Sequence, residues 1–251
     1  MTPDPPLLYD HWSSSAAYRL RIGLALKGIS YRRSVIRRLD GVEDSAYRGV
    51  NPQGFVPTLE VDGVRLVQSA AILEYLDERW PAPPLLPADP AGRARVRALA
   101  LALVVSDIQP LNNQRVQDAL LDELGLDEAA LRRWYGRWIA EGFAAIERLL
   151  ADSPATGRFC HGDSPTLADV CLVLQVFNAR RWSCELEPYP LIRRVDAVCR
   201  GLDPFRAAAP ARQSDCPQQA LPLPRRSARD PAGATGAQGA SRRAYSFLTT
   251  R

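Results

Sequence analysis

The sequence predicts an α/β unit followed by an all-α unit, and three observations predict it. Residues 1–79 alternate short apolar runs with helix-period patterns. Residues 80–90, Trp-Pro-Ala-Pro-Pro-Leu-Leu-Pro-Ala-Asp-Pro, hold five prolines, a composition that interrupts regular structure. From about 90 to 210 the periodicity is helical only. The expected boundaries are 6–80 for the α/β unit, 81–90 for a Pro-rich linker and 91–216 for the helical unit. Residues 217–251, rich in Pro, Gly, Ala, Ser and Arg, are expected to be a disordered basic tail.

Within the first unit, Leu7-Leu8-Tyr9 reads as a short strand. A helix is expected over 15–28, with apolar Leu20, Ile22, Leu24, Ala25 and Leu26 and a terminating Gly28. Residues 31–36 form a second strand, parallel to the first because a helical crossover joins them. Asp62-Gly63, between Val56-Pro-Thr-Leu-Glu-Val and Val64-Arg-Leu-Val, is a two-residue hairpin signal. Pro57 opens its strand, where a missing N–H is tolerated, and a cis peptide is expected there. Residues 69–79 are a helix with Ala70, Ile72, Leu73 and Leu76 on its apolar face.

In the second unit, helices are expected near 90–121, 127–150, 166–181, 189–200 and 203–209, with Pro110 kinking the first. Thr166-Leu-Ala-Asp169 is a capping box ahead of Val170-Cys-Leu-Val-Leu, a run that must be buried almost all round. Asp169 is therefore read as structural and not as catalytic.

Composition narrows the function. Hydrophobic residues make up 46% of the chain and charged residues 24%, which suits a packed globule. No apolar run approaches the roughly 18–20 residues of a membrane span. The opening Met1-Thr-Pro-Asp-Pro-Pro has neither a basic nor an apolar signal region, so a cytoplasmic location and no membrane partner are expected. The net charge of +4 belongs to the tail, where six Arg (225, 226, 229, 242, 243, 251) face Asp230. The near-neutral body argues against nucleic-acid binding. His11 and His161 are the only histidines and cannot form an H-x-x-x-H pair, so no metal is expected. Cys160, Cys171, Cys184, Cys199 and Cys216 contain no C-x-x-C and read as reduced structural thiols.

Local motifs sharpen this outline. Ser14-Ser15-Ala-Ala-Tyr-Arg19-Leu-Arg21-Ile-Gly-Leu-Ala-Leu-Lys-Gly28 resembles the signature S-S-C-x-W-R-V-R-I-A-L of zeta-class glutathione transferases. Asn51-Pro52-Gln-Gly-Phe-Val56-Pro57-Thr-Leu and Gln68-Ser69-x-Ala71-Ile72 are similar to that family's glutathione segments. Asp107-Ile-Gln109-Pro110-Leu-Asn112-Asn113 and Asn178-Ala-Arg-Arg181-Trp are similar to its second domain. The resemblance covers about residues 7–216. It implies a thioredoxin-like N-terminal domain and a helical C-terminal domain. It also implies glutathione as cofactor, a homodimer, and cis–trans isomerisation of maleylacetoacetate. Maleylpyruvate isomerisation and transfer to α-halo acids are the alternatives within the family, and a non-catalytic interaction module is the alternative outside enzymes.

The residues suit that chemistry. A thiol reacts as its thiolate. Ser14 and Ser15 sit where a strand turns into a helix, and the helix N-terminus there favours an anion. A hydroxyl donating to sulfur adds roughly 1.5–3 kcal/mol. Ser14 is equally a plain N-cap when taken alone. Val56 can pair its backbone with the tripeptide. Gln68 and Ser69 can hold the γ-glutamyl carboxylate, and Ser69 as a helix cap uses the same geometry. Arg19, Gln109 and Asn113 complete the glutathione residues that the resemblance implies. Arg19, Arg115 and Arg181 are candidates for the substrate carboxylates, because guanidinium matches carboxylate bidentately. Two positions depart from the family: Ala16 replaces its Cys and Ser13 its Arg. Gln109 stands where some maleylpyruvate isomerases carry His.

Overall fold

The structure, a computed structural model, describes residues 4–36, 38–39, 42–43, 45–106 and 108–217. The tail from 218 onward, where disorder is expected, lies outside the described residues, as does Asp107 of the Asp107–Asn113 motif.

Four strands form one sheet. They are β1 (Leu7–Asp10), β2 (Arg32–Val35), β5 (Thr58–Val61) and β6 (Val64–Val67), in the order β2-β1-β5-β6. β1 and β2 run parallel, with Leu8 opposite Arg33, and the crossover helix α1 (Ser15–Leu26) joins them. β5 is antiparallel to both neighbours, placing Leu59 beside Leu8. Both leucines are fully buried under α1 and α3 (Ser69–Arg79). The β5–β6 turn holds Asp62 at φ 50 and Gly63 at φ 77, the two positive values that a primed hairpin turn requires. Gly28, at φ 65, ends the α1 crossover in the left-handed region. A small β3–β4 pair (Arg38–Leu39 with Val42–Glu43) and α2 (Ser45–Arg48) precede β5. The sequence pattern gave no sign of either.

The second half is helical: α4 (Pro90–Leu101), α5 (Gln114–Asp122), α6 (Glu128–Ala151), α7 (Leu167–Arg181), α8 (Pro190–Arg200) and α9 (Asp203–Ala208). The single kinked helix expected over 90–121 is corrected. After α4 the chain makes a π turn over Ala102–Ser106 and a 3-10 turn over Pro110–Asn112 before α5 begins. Pro110 cannot donate to the ladder, and Asn113 starts a new helix by accepting the Val116 N–H through Oδ1 at 3.1 Å. The capping box forms: Asp169 Oδ2 accepts from the Thr166 N–H and hydroxyl, each at 2.7 Å, and Oδ1 from the Cys160 N–H at 2.8 Å.

α1 and α7 are the central helices. Residues 17–24 of α1 and 167–176 of α7 are buried without interruption. A helix walled on every side has no amphipathic stripe. α1 packs against α3, α7 and α9, so the corner that opens α1 sits at the seam between the two halves.

Candidate active site

Ser14 ends the connection from β1. Its backbone is extended (φ −69, ψ 121), and its Oγ accepts the Ala17 N–H at 3.2 Å. Because Oγ acts as acceptor there, the hydroxyl proton remains available for another acceptor. The cap and the thiolate donor are therefore compatible roles. Ser15, the first residue of α1, has its Oγ 3.1 Å from Asn178 Oδ1 and 2.9 Å from Asn178 Nδ2. Asn178 in turn donates to Gln175 Oε1 at 3.3 Å, and buried Gln175 donates to the Leu103 carbonyl at 3.0 Å. Sequence reasoning missed Asn178 and Gln175 as site residues, although Asn178 opens a motif that carries the resemblance.

The loop before Ser14 is fixed from below. Buried Arg21 donates to Asp10 Oδ1 at 2.6 Å and to the Trp12 carbonyl at 3.1 Å. Arg33 holds the other Asp10 oxygen at 2.6 Å. Asp215, beyond α9, accepts the Trp12 N–H at 3.0 Å and pairs with Arg33 at 2.9 Å. Ser13, in the family's Arg position, has its Oγ 3.0 Å from His11 Nδ1.

On the opposite side, the Val56–Pro57 peptide is cis. Val56 precedes β5, whose register with β1 ends at Tyr9 opposite Thr58, so it lies beyond the ladder. The Phe55 carbonyl before it accepts from Tyr47 at 2.9 Å and from Asn51 at 2.7 Å. Tyr47 Oη also lies 2.7 Å from Thr58 Oγ1. Neither Tyr47 nor Asn51 was anticipated in this supporting role.

Gln68 is exposed at φ 67 and donates to Gln53 Oε1 at 2.6 Å. Ser69, which opens α3, is buried, and Arg19 Nη1 donates to its Oγ at 2.9 Å. Arg19 Nη2 donates to Gln109 Oε1. Arg19 itself is only 2% exposed; its guanidinium faces Ser69 and Gln109, with no open cleft before it. Asn113 uses its side chain locally: Oδ1 caps α5 and Nδ2 donates to the Pro110 carbonyl at 2.6 Å. Arg115 is exposed, lies 3.9 Å from the Phe55 ring centroid and donates to the Gln53 carbonyl. Arg181 is half-buried and lies 5.8 Å from the Phe177 ring centroid. Burial holds its pKa below the ordinary arginine value, and among the described residues no carboxylate pairs with it.

The structure thus joins Arg19, Ser69 and Gln109 in one cluster and Gln68 and Arg115 through Gln53 in another. Ser14 and Ser15 form the corner. Asn113 and Arg181 are bonded to none of these.

Comparisons with known proteins show the family and the fold. The family model described as the glutathione S-transferase N-terminal domain matches residues 13–79. A maleylpyruvate isomerase from a Ralstonia species is 51% identical over 210 residues, 83% of this chain and 98% of the relative. A maleylacetoacetate isomerase from Rhizobium meliloti is 50% identical over 207 residues, 82% of this chain and 96% of the relative. The holo structure of a maleyl pyruvate isomerase, described as a bacterial zeta-class glutathione S-transferase, superposes with a TM-score of 0.81 at 50% identity. It covers 84% of this chain and all of that one. This chain belongs to the zeta-class glutathione transferase family. The thioredoxin-like fold and its helical partner domain are those of the class. The residues of this zeta-class chain also fit the tripeptide cofactor. A hydroxyl proton is available at the Ser14 corner, a backbone edge at Val56, and a buried guanidinium without a carboxylate stands behind Ser69.

Proposed function

We propose that this protein isomerises maleylacetoacetate to fumarylacetoacetate with glutathione as a recycled cofactor. The observation that carries the reading is the Ser14 corner, whose Oγ accepts the Ala17 N–H and leaves its own proton for an anion. When bound, glutathione supplies a thiol nucleophile that adds to the cis double bond and leaves after rotation. Ser14 holds the proton that favours the ionised sulfur, and the α1 N-terminus adds its partial positive charge. Ser15, fixed by Asn178 across the domain seam, lines the same corner. Val56 pairs with the peptide backbone, and Gln68 and Ser69 take the γ-glutamyl end. Arg181 receives a substrate carboxylate: it is half-buried and carries a charge that no described carboxylate neutralises. Arg115 receives the other at the exposed rim. Asn113 supports the site as the cap of α5.

Maleylpyruvate is the second substrate to test, because the Ralstonia relative bears that name at 51% identity. Both substrates are cis-enedioates, and the same two arginines serve either. Purified protein assayed with each, with and without glutathione, decides between them. Glutathione should be required and recovered unchanged. Stoichiometric loss of glutathione with an α-halo acid, and no isomerisation, would overturn the reading in favour of conjugation.

Two coarser expectations belong to the same reading. One is a cytoplasmic location, which cell fractionation checks; among the described residues no helix is long and apolar enough to cross a membrane. The other is a homodimer, as the resemblance implies; light scattering at micromolar concentration checks the mass.

A further inference from the structure

Among the described residues Phe55 is the only aromatic side chain left exposed, at 39%. A phenyl ring is ordinarily buried, and this one has a different use. The guanidinium carbon of Arg115 lies over it, 3.9 Å from the ring centroid, well inside the roughly 6 Å reach of a cation–π contact. Arg115 also donates to the Gln53 carbonyl. Gln53 and Phe55 belong to the α/β half, whereas Arg115 is the second residue of α5 in the helical half, so the contact crosses the seam. The loop that carries Phe55 holds its own shape. Asn51 Oδ1 accepts the Gln53 N–H at 3.1 Å, and the Asn51 carbonyl accepts the Gly54 N–H at 2.8 Å. The Phe55 carbonyl takes bonds from Asn51 and from buried Tyr47. Arg115 instead reaches the ring on a long, exposed stem, with the rotamer freedom that such a side chain carries.

The rigid partner is therefore the ring, and the ring sets where the guanidinium stands. A cation–π contact draws on the charge and consumes no N–H donor. Stacking on Phe55 is thus compatible with a bidentate grip on a carboxylate. Phe55 immediately precedes Val56, the residue whose backbone edge pairs with the tripeptide. We propose that Phe55 is a positioning residue for the isomerised substrate: it fixes the Arg115 guanidinium beside the cofactor and so favours substrates with a carboxylate at the rim. This rests on the reading that Arg115 receives a substrate carboxylate. Phe55 acts only through Arg115, and that carboxylate lies away from the reacting double bond. The contact therefore binds ground state and transition state alike, which places its effect in KM and not in kcat. The ring also makes the position of the α5 arginine depend on a loop of the other half, so the rim of the site is assembled from both.

The test is a double-mutant cycle read by steady-state isomerisation of maleylacetoacetate. Phe55→Leu keeps apolar bulk but removes the π face. It should raise KM by about two- to fivefold, the factor that an exposed cation–π contact supplies. Its kcat, and its calorimetric Kd for glutathione, should stay within about twofold of wild type. Phe55→Trp, with the strongest π face, should return KM to within about twofold of wild type. In an Arg115→Met background, Phe55→Leu should change KM by less than about 1.5-fold. No rise in KM on Phe55→Leu, or an equal rise with and without Arg115, overturns the proposal. Absence of isomerisation by the wild type overturns the underlying functional reading instead. Should Phe55→Leu not fold, pentafluorophenylalanine placed at position 55 carries the test, because fluorination reverses the charge of the ring face at nearly constant shape. KM should again rise by about twofold or more; an unchanged KM overturns the proposal.

Discussion

Ser14 and Ser15 are adjacent, yet their surroundings divide their work. Ser14 Oγ caps α1 as an acceptor, whereas Ser15 is held by Asn178 from α7. Ser14→Ala should cost about 1 kcal/mol of stability through the lost cap. It should also remove a charge-assisted hydrogen bond to sulfur, raising the thiol pKa of bound glutathione by about one to two units. Ultraviolet titration of the thiolate in the binary complex measures this, while glutathione affinity should stay within about threefold. An unchanged thiol pKa would remove Ser14 from the mechanism. The serine pair was legible because a strand-to-helix corner and an anion site share one local pattern. Arg19 was legible as an important arginine but not in its surroundings. Its burial follows from α3 and α7 closing over α1, which no local window shows.

At the scale of elements, local chemistry carried most of the reading. The Asp62-Gly63 turn, the helix over 69–79 and the Thr166–Asp169 box depend on near neighbours. The region between α4 and α5 does not. There the Leu103 carbonyl is taken by Gln175, 72 residues away in sequence, and the helix passes through a π turn instead of continuing. The segment after α9 is a second case. Nothing near Asp215 in sequence indicates that it holds the Trp12 N–H. Its pH dependence follows from its partners. Partial burial raises the Asp215 pKa, but hydrogen bonds from Arg33 and the Trp12 amide outweigh this and hold it below the ordinary value of 3.8. A depressed folded value means the contribution is complete above about pH 4 and is lost as pH falls through that lower value. Hydrogen exchange at the Trp12 amide should therefore stay protected from pH 7 to about pH 4. In Asp215→Asn protection should drop by about tenfold at pH 7, the order expected for a bond to a charged group. Equal protection in both proteins would show that the C-terminal segment does not fix the loop.

The whole molecule depends on how its halves are set against each other, because Ser15 meets Asn178 and Arg19 meets Gln109 only across that seam. One side chain joins the elements that set the angle. Lys27, the only lysine in the chain, follows directly on α1. Its ammonium donates to Asp77 of α3 at 2.8 Å and to the carbonyls of Trp80 at 2.7 Å and Pro83 at 2.8 Å. Those three bonds match the three N–H groups of an ammonium. Asp77 also accepts the Leu85 N–H at 2.7 Å, and the Leu85 carbonyl accepts the Leu167 N–H at 2.8 Å. A continuous path thus runs from α1 through the Pro-rich linker to the first residue of α7, the helix that delivers Asn178. Lys27→Met leaves Asp77 as a buried carboxylate without its cation, a change that typically costs about 3–5 kcal/mol. Urea denaturation should show a loss of that order, with the slope unchanged. Asp77→Asn in the same background should return part of it, because it removes the orphaned charge. If Lys27→Met cost less than about 1 kcal/mol, the linker would be held by apolar packing alone, and the seam that assembles the site would owe nothing to this ion pair.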